Sequence, residues 1–165
     1  MHLSAHGITT DLPDGWEGRI TRRTDPADFT GKARSDGRAG WSGEREHPIA
    51  HLANFALPED RGEFGSGAVD LMSDGHVFIS LFEYGPESAG SELFSRQGLP
   101  RRLRPNMFSS ARLQRTLPSQ AGAQLFFTEA GRAFCLYVVI GAERRAPNLV
   151  PLANTTLDAT RIAPR

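Results

Sequence analysis

A chain of 165 residues, 39% of them hydrophobic, is long enough for one domain that buries roughly two-thirds of its unfolded surface. Nineteen Lys and Arg balance nineteen Asp and Glu, so no global field draws the chain to an anionic membrane, and nucleic acid is disfavoured as a partner. The single cysteine excludes a disulfide framework, and the longest apolar run, Ala133 to Ile140, falls far short of the about 20 residues a membrane-spanning helix needs.

Met1 to Gly7 has neither a basic region nor a long apolar stretch. No signal peptide is expected, and the chain reads as cytoplasmic. Leu3 to Leu12 alternates weakly, with Ile8, Thr10 and Leu12 on one face. The turn Pro13-Asp14-Gly15 leads into Trp16–Arg22, which predicts a first hairpin. From 24 to 46 there is no apolar period of either kind, so a flexible insertion is expected there, with Trp41 as its one large aromatic. His51 to Leu57 alternates again, with Ala53, Phe55 and Leu57 on one face, and Pro58 ends it.

Ala68–Met72 and His76–Tyr84, joined by Ser73-Asp74-Gly75, predict a second hairpin. Its second arm is apolar on both sides, the mark of a strand covered on both faces. Residues 85–107 read as loop and carry Arg101, Arg102 and Arg104. Gln124–Thr128 and Arg132–Ile140, joined by Glu129-Ala130-Gly131, predict a third hairpin at the centre of the sheet. Pro147 then opens a helix, because Leu149, Leu152, Ala153, Thr156, Leu157 and Thr160 form one stripe. The expected fold is a single α+β domain over 1–165. It has a twisted antiparallel sheet of about six strands built from hairpins, and the C-terminal helix packs on one face.

Chemistry is harder to find. His47 and His51 are spaced i, i+4, but on a strand their rings stand about 13 Å apart, too far to share an ion. His2 and His6 fail in the same way. Cys135 lies in an apolar run, where a thiol is buried and inert. The glycines at 62, 65 and 67 precede a strand rather than a helix, so they do not form a dinucleotide fingerprint. Arg101, Arg102 and Arg104, with Arg112 and Arg115, are candidates for contact with an anionic group. Trp41 is a candidate for anchoring a partner.

The opening Gly7-Ile8-Thr9-Thr10-Asp11-Leu12-Pro13-Asp14-Gly15-Trp16 resembles the start of Mog1/PsbP-like domains. Those begin with a hairpin whose second strand follows a Leu-Pro-x-Gly-Trp turn. The resemblance implies an antiparallel sheet sandwiched by helices and a role in binding or assembly, and it carries over no functional residue. The chain departs from that pattern at 24–46 and 85–107, where helices of the second layer belong. It is also similar to small uncharacterised proteins of high-GC bacteria, some associated with phage-tail-like contractile injection clusters. Lys32 is the only lysine, in keeping with such a source.

These readings together predict a non-enzymatic interaction or assembly protein, with a protein partner meeting an uncovered sheet face and the loops 24–46 and 85–107, or a second copy pairing through open sheet faces or edges. No cofactor and no metal is called for. The alternative is a small-molecule-binding protein or enzyme with a pocket between helix and sheet, lined by His51, His76 or Cys135 and a converging carboxylate.

Overall fold

The structure is a computed structural model, and it describes residues 1–22, 47–62 and 64–165. The expected insertion at 24–46, and Trp41 with it, lies outside the described residues. In chain order the elements are β1 (His2–Ala5), β2 (Ile8–Asp11), β3 (Glu17–Arg22), β4 (Pro48–Ala53), α1 (Ser66–Val69), β5 (Val77–Glu83), β6 (Ala121–Glu129), β7 (Arg132–Ile140), α2 (Ala146–Asp158) and β8 (Thr160–Ile162). The strands form two antiparallel sheets, β1-β2-β8 and β3-β4-β5-β7-β6. The α+β class, the antiparallel pairing and the C-terminal helix are as expected. Among the described residues, eight strands in two sheets replace about six in one.

Of the three glycine-tipped turns, only Ala130-Gly131 closes a hairpin. There β6 and β7 pair through Glu129↔Arg132, and the two loop residues have φ 54° and 74°, the positive pair that a type I′ loop needs. Pro13-Asp14-Gly15 instead passes the chain between sheets, since β2 pairs with β1 and β8 while β3 pairs with β4. Ser73-Asp74-Gly75 joins α1 to β5, and Ala68 and Val69 lie in a helical turn. Asn54 accounts for the difference. Its Oδ1 accepts the Val77 N–H at 2.7 Å and its Nδ2 donates to the Gly75 carbonyl at 3.1 Å, so a side chain fills the place of a preceding strand. β4 accordingly ends at Ala53, short of the expected Leu57. A hairpin that sequence reading missed sits at His6-Gly7, whose φ values of 52° and 75° join β1 to β2.

β5 is the central strand of the larger sheet, and all its residues are buried, as are those of β7. On one face Val77, Ile79, Leu81, Leu136 and Val138 pack against Leu149, Ala153 and Leu157 of α2 and against Ile8, Leu12 and Trp16. The α2 stripe holds at Leu149, Ala153, Thr156 and Leu157, whereas Leu152 faces outward and Thr160 opens β8. The opposite face is not the open surface expected. Phe78, Phe82, Cys135 and Tyr137 are buried beneath Phe64, Leu113 and Leu117, with Phe126 of β6 beside Cys135. The connecting segments carry enough apolar side chains to form a second layer from loops and short turns among the described residues. No helix among the described residues is long and apolar enough to cross a membrane.

Candidate functional site

On the α2 face of the larger sheet the apolar series ends in charge. Glu83 is in phase with Val77, Ile79 and Leu81, and Arg132 with Phe134, Leu136 and Val138. Glu83 pairs with Phe134, which makes Arg132, two residues earlier, its diagonal neighbour. Both side chains are 3% exposed. Arg132 Nε donates to Glu83 Oε1 at 3.1 Å and Nη2 donates to Oε2 at 2.7 Å, a two-pronged pair. Nη2 also donates to the His6 carbonyl at 2.9 Å and Nη1 to the Ala163 carbonyl at 2.8 Å. One guanidinium thereby ties the first hairpin turn and the tail to the main sheet. Gly7 makes the approach feasible: its φ is 75°, and a Cβ there would stand 2.5 Å from Arg132 Nη1.

Two more cations complete this end of the molecule. Arg165 reaches Glu83 Oε1 with Nε at 3.1 Å and Nη2 at 2.9 Å. Arg22, opposite Pro48 in the β3–β4 register, donates its Nε to His6 Nδ1 at 3.2 Å. Between them opens a cleft of about 190 Å³, lined by His6, Gly7, Arg22, Pro48, Arg132, Pro164 and Arg165. Among the described residues no acidic side chain lines it.

The arginines singled out from sequence lie elsewhere and do not converge. Arg101 Nη1 donates to the carbonyls of Leu157 at 2.6 Å and Thr160 at 2.8 Å, where it satisfies the C-terminal end of α2. Its other partner is Glu129, at 3.7 Å. Arg102 pairs with Asp158 at 2.6 Å on the surface, and Arg104 is exposed. Arg115 pairs with Asp70. The carboxylates that meet this loop are thus Glu129, Asp158 and Asp70.

The titratable groups on and beside the second face are shaped by burial and by hydrogen bonds. Arg61 Nε donates to His51 Nδ1 at 2.9 Å, which puts the imidazole proton on Nε2. His76 accepts the Ser73 N–H on Nδ1 at 3.0 Å and stacks on Phe55, and burial lowers its pKa. Burial pushes the Cys135 thiol up to about 11, offset only in part by the Gln124 amide at 3.6 Å. Burial likewise raises the Tyr137 phenol, whose oxygen accepts the Gln114 N–H at 3.0 Å. Beside Tyr137 a cavity of about 40 Å³ is walled by Phe64, Val69 and Leu117, between α1 and the sheet rather than under α2. Neither this cavity nor the cationic cleft is lined by His51, His76 or Cys135. Among the described residues no group of three or more His, Cys, Asp or Glu is placed to hold a metal ion.

Comparison of the chain with protein-family models, curated proteins and solved structures finds no match in any of the three. The cleft residues Arg22, Arg132 and Arg165 were not singled out from sequence. One signal was available, namely two opposite charges in phase with the buried faces of two strongly apolar segments, Val77–Glu83 and Arg132–Ile140.

Proposed function

We propose that the protein is a non-enzymatic interaction or assembly protein that meets its partner at the cationic end of the larger sheet. The observation that carries this reading is the cleft itself. It is a concave, arginine-rich surface with no acidic lining among the described residues, held open by the Arg132–Glu83 pair and by two backbone carbonyls. Supporting it, burial raises the pKa of Cys135 and of Tyr137, so both stay protonated at neutral pH rather than in the ionised form that nucleophilic work requires. A larger bacterial particle, such as a phage-tail-like contractile injection system, is the setting that the sequence resemblance suggests. Cross-linking and affinity capture from the native cell test the reading. A protein recovered with the parent chain, and lost when Arg22 and Arg165 are both changed to Gln, supports it. Recovery that ignores both substitutions overturns it.

The small-molecule alternative rests on the cavity beside Tyr137. At about 40 Å³ it admits a few waters or a very small organic molecule. Pockets that enclose a cofactor-sized ligand run to about 300–1,000 Å³. The cleft therefore supports the interaction reading better than the cavity supports this one.

A further inference from the structure

We propose that the outer edge of β6 takes up a short extended segment of a protein partner, added as a strand along residues 124–126. This surface is separate from the cationic cleft, and the inference does not depend on that cleft. It starts from the register. β6 pairs with β7 without a bulge from Ala121↔Ile140 to Glu129↔Arg132. In such a strand the backbone groups of successive residues point alternately to either side. Thr128 donates outward to the Arg96 carbonyl at 2.8 Å and accepts the Gly98 N–H at 2.8 Å, and Gly122 exchanges two bonds of 3.0 Å with Ser109. Gln124 and Phe126 are in phase with these two, so their N–H and C=O groups point the same way. Among the described residues neither has a backbone partner there. The sheet order puts this edge on the far side from β3 and β4, the strands that residues 23–46 connect.

Native sheets blunt their edges with lysine, proline or a bulge. Residues 124–126 carry none of these, and all three are half-buried. Leu125 packs partly on the α2-side core and Phe126 partly on the cluster around Cys135. Leu93, 59% exposed, lies in the turn Glu92–Phe94, whose Phe94 ring meets that of Phe126 edge-on at 5.5 Å. Apolar side chains thus flank a strip of unpaired backbone, and strand addition draws affinity from the one and specificity from the other. The two ends of the strip decide the occupant. Gly122 and Thr128 stand about 20 Å apart, and Ser109 and Gln97 already fill the added-strand position beside them. A second β6 paired antiparallel about Leu125 would bring its own Gly122 onto the backbone of 96–98, which excludes a second copy at this edge. A segment of about three residues fits, with both ends turned away from the sheet. Antiparallel placement gives it about four main-chain hydrogen bonds and sets its central side chain beside Leu125. Apolar β-branched residues suit those neighbours.

The test is amide hydrogen exchange of the full chain, resolved by residue, with a capped Thr-Val-Val-Val-Thr peptide as the probe. In dilute chain without peptide the Gln124 and Phe126 amides should exchange fast, and those of Leu125 and Phe127, bonded to β7, slowly. Millimolar peptide should slow Gln124 and Phe126 by at least about fivefold. The same peptide N-methylated at all three valines keeps the apolar surface but cannot donate, and it should protect neither. Gln124→Pro removes an outward N–H while leaving the β7 ladder intact, and it should weaken binding by about five- to tenfold. Gln124→Thr keeps that N–H and should bind as the parent does. If the proline variant fails to fold, exchange on the parent chain decides the matter alone. Slow exchange at both amides in dilute chain, no protection by the peptide, or equal protection by its methylated form overturns the proposal. Equal losses in Gln124→Pro and Gln124→Thr do the same. So does protection that grows with chain concentration alone, because a second copy would then fill the edge.

Discussion

Replacing Glu83 by Gln isolates the interaction on which this end of the molecule depends. The carboxylate receives Arg132 Nε and Nη2 at 3.1 and 2.7 Å, and Arg165 Nε and Nη2 at 3.1 and 2.9 Å. Glutamine keeps the shape but turns one acceptor into a donor that faces guanidinium N–H groups, and it leaves the 3%-exposed Arg132 without a counter-charge. Breaking a buried pair from one side costs about 3–5 kcal/mol, against about 5–15 kcal/mol for the whole stability of a domain. For a chain of this size that lowers the melting temperature by about 10 °C. Urea unfolding followed by Trp16, which is 7% exposed, reads the loss directly. Asp158→Asn removes the surface partner of Arg102 and makes the same charge change, and it should cost under about 1 kcal/mol. The double replacement Glu83→Leu with Arg132→Leu removes both charges but strands the His6 and Ala163 carbonyls, so it should remain about 2 kcal/mol below the parent. A Glu83→Gln loss no larger than that of Asp158→Asn would refute the reasoning, because the pair would then be a solvated bridge.

Gly7→Ala should cost about 2 kcal/mol or more, because positive φ and the approach of Arg132 Nη1 act together; Gly131→Ala, with φ 74° and nothing within 4 Å, should cost about 1 kcal/mol by chemical denaturation. Ala130→Asn places a residue tolerant of positive φ in the β6–β7 turn and should stabilise by several tenths of a kcal/mol in the same assay. Arg101→Ala removes the donor to the Leu157 and Thr160 carbonyls and should cost about 1–2 kcal/mol, seen as earlier loss of helical dichroism on heating. The Cys135 thiol is raised from 9.0 to about 11, so the unfolded chain releases its proton first. The thiol's contribution should be intact below pH 9, fall by about 2–3 kcal/mol as pH rises towards 11, and vanish in Cys135→Ala, which keeps only the loss that the raised Tyr137 phenol brings above pH 10. A thiol-specific chromogenic reagent should leave the folded chain unmodified at neutral pH.

How much was legible depended on whether the deciding interaction was local. Ala130-Gly131 joins segments that pair with each other, so turn chemistry and pairing agree. Asp14-Gly15 and Asp74-Gly75 carry equally good turn residues, yet the strands beside them pair with segments distant in the chain. β2 takes β8, and β5 takes β4 and β7. A turn signal states that the chain reverses and is silent about what lies alongside it. His6-Gly7 shows the converse. Histidine is not the asparagine or aspartate that marks such a loop, so a hairpin read as one weak strand. The covered second face was legible in principle, since Phe78, Phe82, Tyr84, Cys135, Tyr137 and Val139 are apolar positions opposite an already apolar face. Residues that read as loop supplied the cover.

The cleft was hidden for a further reason. Arg132 joins Glu83 across 49 positions, Ala163 across 31 and His6 across 126, so no window of sequence contains the arrangement. What a sequence can show is the tension that forces it. An arginine and a glutamate lie in phase with buried faces, and neither can enter a core unless the other is within reach. Antiparallel pairing of β5 with β7 brings them to diagonal positions at one end of the sheet, where the pair becomes mutually obligatory. The arginine has more donors than one carboxylate can accept, and the surplus draws in the His6 and Ala163 carbonyls. Those carbonyls bring the first turn and the tail, and the tail brings Arg165. The cationic cleft thus follows from a folding requirement at the sheet's end, where Arg165 joins Arg132 on the one buried carboxylate of Glu83.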